Sequence, residues 1–353
     1  MVVFYVYFNG PPMGVARYSA NLLSALAPKL VAENVTFRIF CSTDAYRYLQ
    51  DQEFITHCEL ERKLDSYVTR VPYFLFVNFH YQKTTIVALT NVSPIFPRKN
   101  TRVWSVAHDF TEFFRKHKYG LIRSALRRLL VRSSVWLGGR LICISDKTLS
   151  DCRLLLPKAS TELIRSGMQP VSKEKCEPVE NSGSFILVVG RIDPDEKNLW
   201  QVLDHVRRWH QRNSDVRVIF VGGVGDNNKS TKKFLECLDG TEFAEFKGFV
   251  SETALRALYK QARFLMFLSL KEGHGLPIYE AFENGCPVVL HRSNDFFPLK
   301  GNTPLTYLVS NESDADEYKR ICDWFDRASA EDLSQLFCTW DQTADQFLRL
   351  LKS

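Results

Sequence analysis

Two stretches hold residue types that could do chemistry together. In KEGHGLPIYEAFENGCPVVL (271–290), Glu272 and Glu280 bracket a loop of Gly273, His274 and Gly275, followed by Leu276 and Pro277. The preceding run, RFLMFLSL (263–270), has the composition of a buried strand, so the loop leaves that strand's carboxyl end. Pro277 suits the start of a helix and Gly285 its end, which predicts a helix from about Pro277 to Asn284. Such a terminus presents unsatisfied N–H groups that favour an anion. Glycine lets a ligand approach the backbone without a Cβ in the way. Glu280, one turn into the helix, would repel a phosphate but can accept hydrogen bonds from a vicinal diol. Glu272, before the loop, lies on the other side of the anion and could meet a sugar hydroxyl. A lone pair of glutamates at this spacing would mean little.

The second stretch changes that. SFILVVGRIDPDEKNL (184–199) places Arg191 and Lys197 between a buried strand and a helix, a position equivalent to that of the first loop. Two cations at one strand end, facing a helix N-terminus, form a clamp for a diphosphate. Fixed charge of this kind is usually the largest catalytic contribution when a diphosphate leaves. Asp193 and Asp195 resemble a metal-binding acid pair, but their place beside Pro194 reads as turn chemistry. With two cations and a helix terminus on the phosphates, no divalent metal is required. His205 and His210 are expected on an exposed helix face. VGGVGDNN (221–228) lacks the GxGxxG order and reads as a turn between strand and helix.

The elements that must position these residues follow from hydrophobic patterning. Apolar runs at 2–8, 36–41, 85–90, 102–108 and 140–145, then at 184–190, 216–222, 244–249, 263–270 and 286–291, alternate with helical spacing. Strands this continuously apolar are covered on both faces, as in parallel α/β sheets. The expected fold is α/β: two Rossmann-like, doubly wound domains facing across a cleft. The stretch 169–184, QPVSKEKCEPVENSGS, has the composition of a linker. The expected division is 1–170, a linker at 171–184, 185–335, and a closing helix at 336–353.

Nine scattered cysteines without a CxxC pair point to a reducing compartment and away from zinc. No run approaches the ~20 apolar residues of a membrane helix. The start, MVVFYVYFNG, reads as a strand and not as a signal peptide. The expected location is the cytoplasm, with peripheral contact on the cytoplasmic face of a membrane as one option. Residues 1–170 hold 23 Lys and Arg against 12 Asp and Glu (+11), and the remainder 23 against 28 (−5). A basic first half suggests an anionic surface or substrate. Within it, residues 113–134 place Leu121, Ile122, Ala125, Leu129 and Leu130 at helical spacing among Arg123, Arg127, Arg128 and Arg132. Such a helix either packs its apolar stripe inward or lies on an anionic membrane.

The wording VGRIDPDEKNL, then FKGFVSETALRALYKQARFLMFLSLKEGHGLPIYEAFENGCPVV, resembles the donor-binding half of retaining glycosyltransferases of family 4, which have the GT-B fold. The resemblance covers most of 185–292. It extends more weakly to MGVARYSANLLSAL (13–26), VWSVAHDF (103–110), GGRLICISDKTLSDC (138–152) and CTWDQTADQFLRLL (338–351), the last matching a helix that returns to the first domain. It implies that Arg191 and Lys197 hold the donor diphosphate, that Glu272 contacts the transferred sugar and that Glu280 contacts the ribose. The backbone of Gly273, His274, Gly275 and Leu276 would run along sugar and phosphate. Gly14 would let the first domain approach the phosphates, and His108 would point toward the reacting sugar. The family usually has an aromatic where this chain has His274.

The function so implied is transfer of a hexose, mannose favoured, from a nucleotide-diphosphate sugar with retention of configuration. GDP-mannose or a UDP-sugar is the donor, without a cofactor or metal. The expected acceptor is a growing, lipid-linked surface glycan such as O-antigen, with peripheral contact on an anionic membrane, and nucleic acid is no partner. The rivals are a transferase with a soluble acceptor, a catalytically silent nucleotide-sugar-binding module, and a nucleotide-sugar epimerase on the same architecture.

Overall fold

The apolar runs form the strands of two parallel sheets. The structure, a computed structural model, describes residues 1–8, 14–62, 84–90, 101–114, 121–136, 138–169, 185–224, 229–270, 272, 274–293, 305–310, 314–327 and 337–353. The expected linker at 171–184 and Gly273 lie outside the described residues, as do the side chains of Arg123 and Arg127. The chain divides into two compact units, Met1–Gly167 with Cys338–Ser353, and Met168–Phe337.

The first unit holds β1 (Val2–Val6), β2 (Phe37–Cys41), β3 (Glu59–Arg62), β4 (Thr85–Ala88), β5 (Arg102–Ala107), β6 (Arg140–Cys143) and β7 (Thr161–Leu163). They lie in the order β3-β2-β1-β4-β5-β6-β7, all parallel. Its helices include α1 (Gly14–Ala32), α2 (Thr43–Leu49), α3 (Thr111–Phe114), α4 (Leu121–Trp136) and α5 (Asp146–Leu155). Parallel pairing needs such crossovers, and they cover both faces. Along β1, Val2, Phe4 and Val6 face one apolar cluster while Val3 and Tyr5 face another.

The second unit repeats the scheme with β8 (Phe185–Val189), β9 (Arg217–Val221), β10 (Ala244–Gly248), β11 (Phe264–Phe267), β12 (Val288–His291) and β13 (Thr306–Val309). The order is β10-β9-β8-β11-β12-β13, again all parallel. Helices α6 (Leu199–Arg212), α7 (Lys229–Asp239), α8 (Glu252–Gln261), α9 (Leu276–Glu283) and α10 (Glu317–Arg327) complete it. Ile186 and Val188 pack toward α6 and α7, Leu187 and Val189 toward α8 and α9. Each sheet reverses its winding beside its first strand, between β1 and β4 and between β8 and β11. Open α/β sheets bind ligands at the carboxyl ends of such a pair.

The last helix, α11 (Trp340–Lys352), belongs to the first unit. Thr339 and Gln342 form a capping box at its start. Its flank pairs with α1 through Lys29 with Asp341 (2.8 Å) and Asp345 (2.7 Å).

One expectation needs correction. His205 is not on an exposed face: it is fully buried, its Nε2 3.2 Å from the Ser310 carbonyl. It falls one turn from Val202 and Trp209 and shares their inward side. Among the described side chains of α4, Val131, Ser134 and Val135 face inward and Leu129 is 63 % exposed.

Candidate active site

Backbone geometry sets the second unit's site before any side chain does. After β8, Gly190 donates to the Val221 carbonyl (2.9 Å) and Ile192 to that of Gly223 (2.9 Å). A Cβ on Gly222 would lie 2.0 Å from the Gly190 carbonyl oxygen, and Gly222 has φ +144°. Only glycine allows these two strand exits to pass so closely. Arg191 therefore leaves the sheet at a fixed point. The turn that follows is closed by Asp193, whose Oδ1 accepts from Glu196 N (3.2 Å) and whose carbonyl accepts from Lys197 N (2.9 Å).

The neighbouring strand β11 continues through buried Leu268 and Ser269 to Glu272. Gly275 then turns the chain in the left-handed region (φ 78°, ψ 48°) as the N-cap of α9, with proline in the first turn. Helix α9 spans Leu276–Glu283, one residue earlier at each end than the sequence suggests. Gly285 (φ 71°) closes it.

The two constellations meet. Lys197 Nζ is ion-paired with Glu272 Oε1, with side chains 21 % and 16 % exposed. Arg191 Nη2 donates to Glu196 Oε2 at 3.0 Å and stands 3.5 Å from Asp193 Oδ2. Gly190, Arg191, Lys197 and Ser269 share the lining of one pocket over the ends of β8 and β11. Glu280 Oε2 accepts from the Tyr259 hydroxyl at 3.0 Å, and that hydroxyl also lies 3.3 Å from the Pro277 carbonyl. Tyr259 comes from α8, and nothing in the sequence pattern points to it. The His274 ring is buried and stacked on Tyr279 (centroids 4.2 Å, 12° between planes). Asp195 Oδ1 accepts from Ser230 Oγ (2.9 Å) on α7 and not from a partner in the pocket.

The remaining candidates lie in the first unit. Gly14 is the first residue of α1, next to residues 9–13, outside the described set. His108 follows β5 with Nε2 3.1 Å from the Leu89 carbonyl, and its ring packs edge-on against Tyr18 (4.9 Å). Burial pushes its imidazole below the ordinary range, toward the neutral form. Of the basic residues on α4, Arg132 is exposed and Arg128 partly so. Among the described residues, no group of three His, Cys, Asp or Glu is placed to hold a metal ion.

With this geometry in hand, comparison with known proteins is specific for the second unit. Residues 173–325 match the family described as Glycosyl transferases group 1. The chain is also similar to the O-antigen chain mannosyltransferase RfbU of Salmonella typhimurium, 25 % identical over 183 residues. That match takes in 52 % of this chain and spans half the length of the relative. Among solved structures it is similar to Anabaena HepE in complex with UDP and glucose (TM-score 0.70, 15 % identity, 100 % of this chain and 99 % of that one). It is likewise similar to WaaG, a glycosyltransferase involved in lipopolysaccharide biosynthesis (TM-score 0.63, 13 % identity, 99 % and 95 %). Likeness at such low identity speaks for the fold, and the fold is GT-B.

Proposed function

We propose that this protein is a glycosyltransferase of surface-polysaccharide assembly. It moves a hexose from a nucleotide-diphosphate sugar to a hydroxyl of a growing, lipid-linked glycan, with retention of configuration and without a divalent metal. One observation carries the reading: the cations after β8 and the glycine-capped helix after β11 come together at neighbouring strand ends, tied by the Lys197–Glu272 pair. Arg191 and Lys197 take the diphosphate, Glu272 the sugar, Glu280 the ribose hydroxyls, and the backbone at His274–Leu276 lies along sugar and phosphate. Gly14 and His108 remain the first unit's own candidate residues. Held by the two cations, the leaving diphosphate can itself take the proton of the incoming hydroxyl.

The relative named for mannose transfer makes mannose the first sugar to test, and the solved complex with UDP and glucose makes a UDP-sugar the second. Replacing Lys197 by Ala should slow turnover roughly 10²–10³-fold, the scale of losing one preorganised charge. Near-normal turnover by that variant would sink the clamp assignment. EDTA should leave the rate unchanged.

A lipid-linked acceptor is supported by the surface of the first unit. Phe114 (42 %), Leu129 (63 %) and Trp136 (84 %) are exposed on α3 and α4 beside Arg128 and Arg132. Apolar and basic groups together suit an anionic membrane face, each cation there contributing ~1 kcal/mol. Flotation with anionic vesicles should be salt-sensitive and weakened in Arg128→Gln/Arg132→Gln. Flotation that ignores both salt and these substitutions would favour a soluble acceptor.

A further inference from the structure

The turn between β8 and α6 contains three carboxylates: Asp195 accepts from Ser230 Oγ, and the diphosphate reading leaves Asp193 and Glu196 without a task. Glu196 Oε2 accepts from Arg191 Nη2 at 3.0 Å, and Asp193 Oδ2 stands 3.5 Å from the same nitrogen. Among the described residues, both ion pairs of Arg191 run through Nη2. A guanidinium has five N–H groups in a rigid fork, so anchoring one corner fixes the direction of the rest. The acids are the more buried partners, with side chains 8 % (Asp193) and 13 % (Glu196) exposed against 26 % for Arg191.

Their own positions are set by backbone bonds. Asp193 Oδ1 accepts from Glu196 N, the Asp193 carbonyl accepts from Lys197 N, and Ser269 Oγ donates to the Glu196 carbonyl at 3.4 Å, so the backbone carrying both acids is held. A carboxylate carried on a backbone closed in this way acts as a strut and not as a stand-in for the ligand. A long arginine ordered in advance also loses less side-chain freedom when it binds. Two acids beside a phosphate site would repel it. Burial, and then the Glu196 charge, push the Asp193 carboxyl above its ordinary range.

We propose that Glu196, supported by Asp193, is the positioning residue of the diphosphate site, holding Arg191 by Nη2 so that its Nε–Nη1 edge meets the phosphates. The proposal rests on the reading of Arg191 as a diphosphate ligand. It sets Glu196 apart from Glu272, the other acid next to a clamp cation, because Glu272 must yield Lys197 to the ligand and Glu196 must stay.

The test is calorimetric titration with inorganic pyrophosphate, which needs no knowledge of the base, against wild type, Arg191→Ala, Glu196→Gln and the double variant. Wild type binds, Arg191→Ala weakens binding, and Glu196→Gln weakens it about tenfold, the scale of one charge-assisted contact. The double variant binds no more weakly than Arg191→Ala alone, since the carboxylate acts through the guanidinium. Binding by Glu196→Gln equal to or tighter than wild type overturns the proposal. So does a double variant about tenfold weaker than Arg191→Ala. Should Glu196→Gln fail to fold, Glu196→Asp keeps the charge and is expected to bind within about threefold of wild type; a tenfold loss there counts against the proposal. An Arg191→Ala variant that binds like wild type, or a wild type that binds nothing, identifies a different failure, that of the diphosphate reading itself.

Discussion

Lys197 and Glu272, which sit at the ends of two neighbouring strands, neutralise each other in an ion pair that is largely shielded from solvent. The cation proposed for the diphosphate and the acid proposed for the sugar are thus each other's counter-ion in this structure. Under the proposed assignment, a nucleotide that takes Lys197 would release Glu272 toward the sugar.

This exchange has a measurable sign. In Glu272→Gln the nucleoside diphosphate no longer competes with a carboxylate for Lys197. It should bind about fivefold tighter, on the order of 1 kcal/mol, while turnover of the sugar donor falls. Weaker binding of the diphosphate by Glu272→Gln would contradict the exchange. Calorimetry with and without the sugar moiety separates the two effects.

Gly222 sets the strand exit from which Arg191 emerges. An added Cβ would stand 2.0 Å from the Gly190 carbonyl oxygen, at φ +144°. The obstacle is backbone, which cannot turn aside. Gly222→Ala should cost at least about 3 kcal/mol of stability, read as a lower urea midpoint at unchanged slope. A midpoint within error of wild type would mean that the close passage is not essential.

The buried imidazole of His205 gives a pH signature. Burial pushes it down from 6.5 to about 4, with the Ser310 carbonyl and Asp204 working against the shift and Arg208 and His291 adding to it. Its Nδ1 is 3.7 Å from Glu317 Oε2. Above pH 6.5 neither folded nor unfolded His205 is charged, and its contribution to stability is complete. As pH falls toward 4 the unfolded chain binds a proton that the folded chain refuses, and up to about 3 kcal/mol is lost. Burial pushes the Glu317 carboxyl up, and its slope is opposite: stability present at low pH is lost as pH rises. The His205 share is therefore the difference between wild type and His205→Gln in urea unfolding from pH 7 to pH 4. Parallel pH profiles for the two would contradict it.

Much of the architecture is legible in the sequence because central parallel strands are apolar on both faces. All ten apolar runs contain a strand. The edge strands β3 (ELER), β7 (TEL) and β13 (TYLV) escape notice, the first two because an edge exposed to water needs no apolar pattern and the third because it is only four residues long. Helix α9 is legible from Pro277 and Gly285, whose backbone preferences are local. Long-range contacts are a different matter. Tyr259 reaches Glu280 from another helix, and its spacing from the motif carries no signal. Asp193 does close a turn, as its place beside Pro194 suggests, but that its other oxygen faces Arg191 depends on how the turn folds. His205 could have been placed inward from its spacing to Val202 and Trp209, and only its polarity argued otherwise.

The most direct measurement is a thermal-shift panel of UDP, GDP, ADP and TDP in EDTA, on wild type and Lys197→Ala. A ligand at 100 times its Kd adds ~2.7 kcal/mol of stability, well within detection. Stabilisation of wild type by one nucleotide, sharply reduced in Lys197→Ala, is the expected result and names the donor class. No response from wild type, or an equal response from the variant, would contradict a diphosphate site at Arg191 and Lys197.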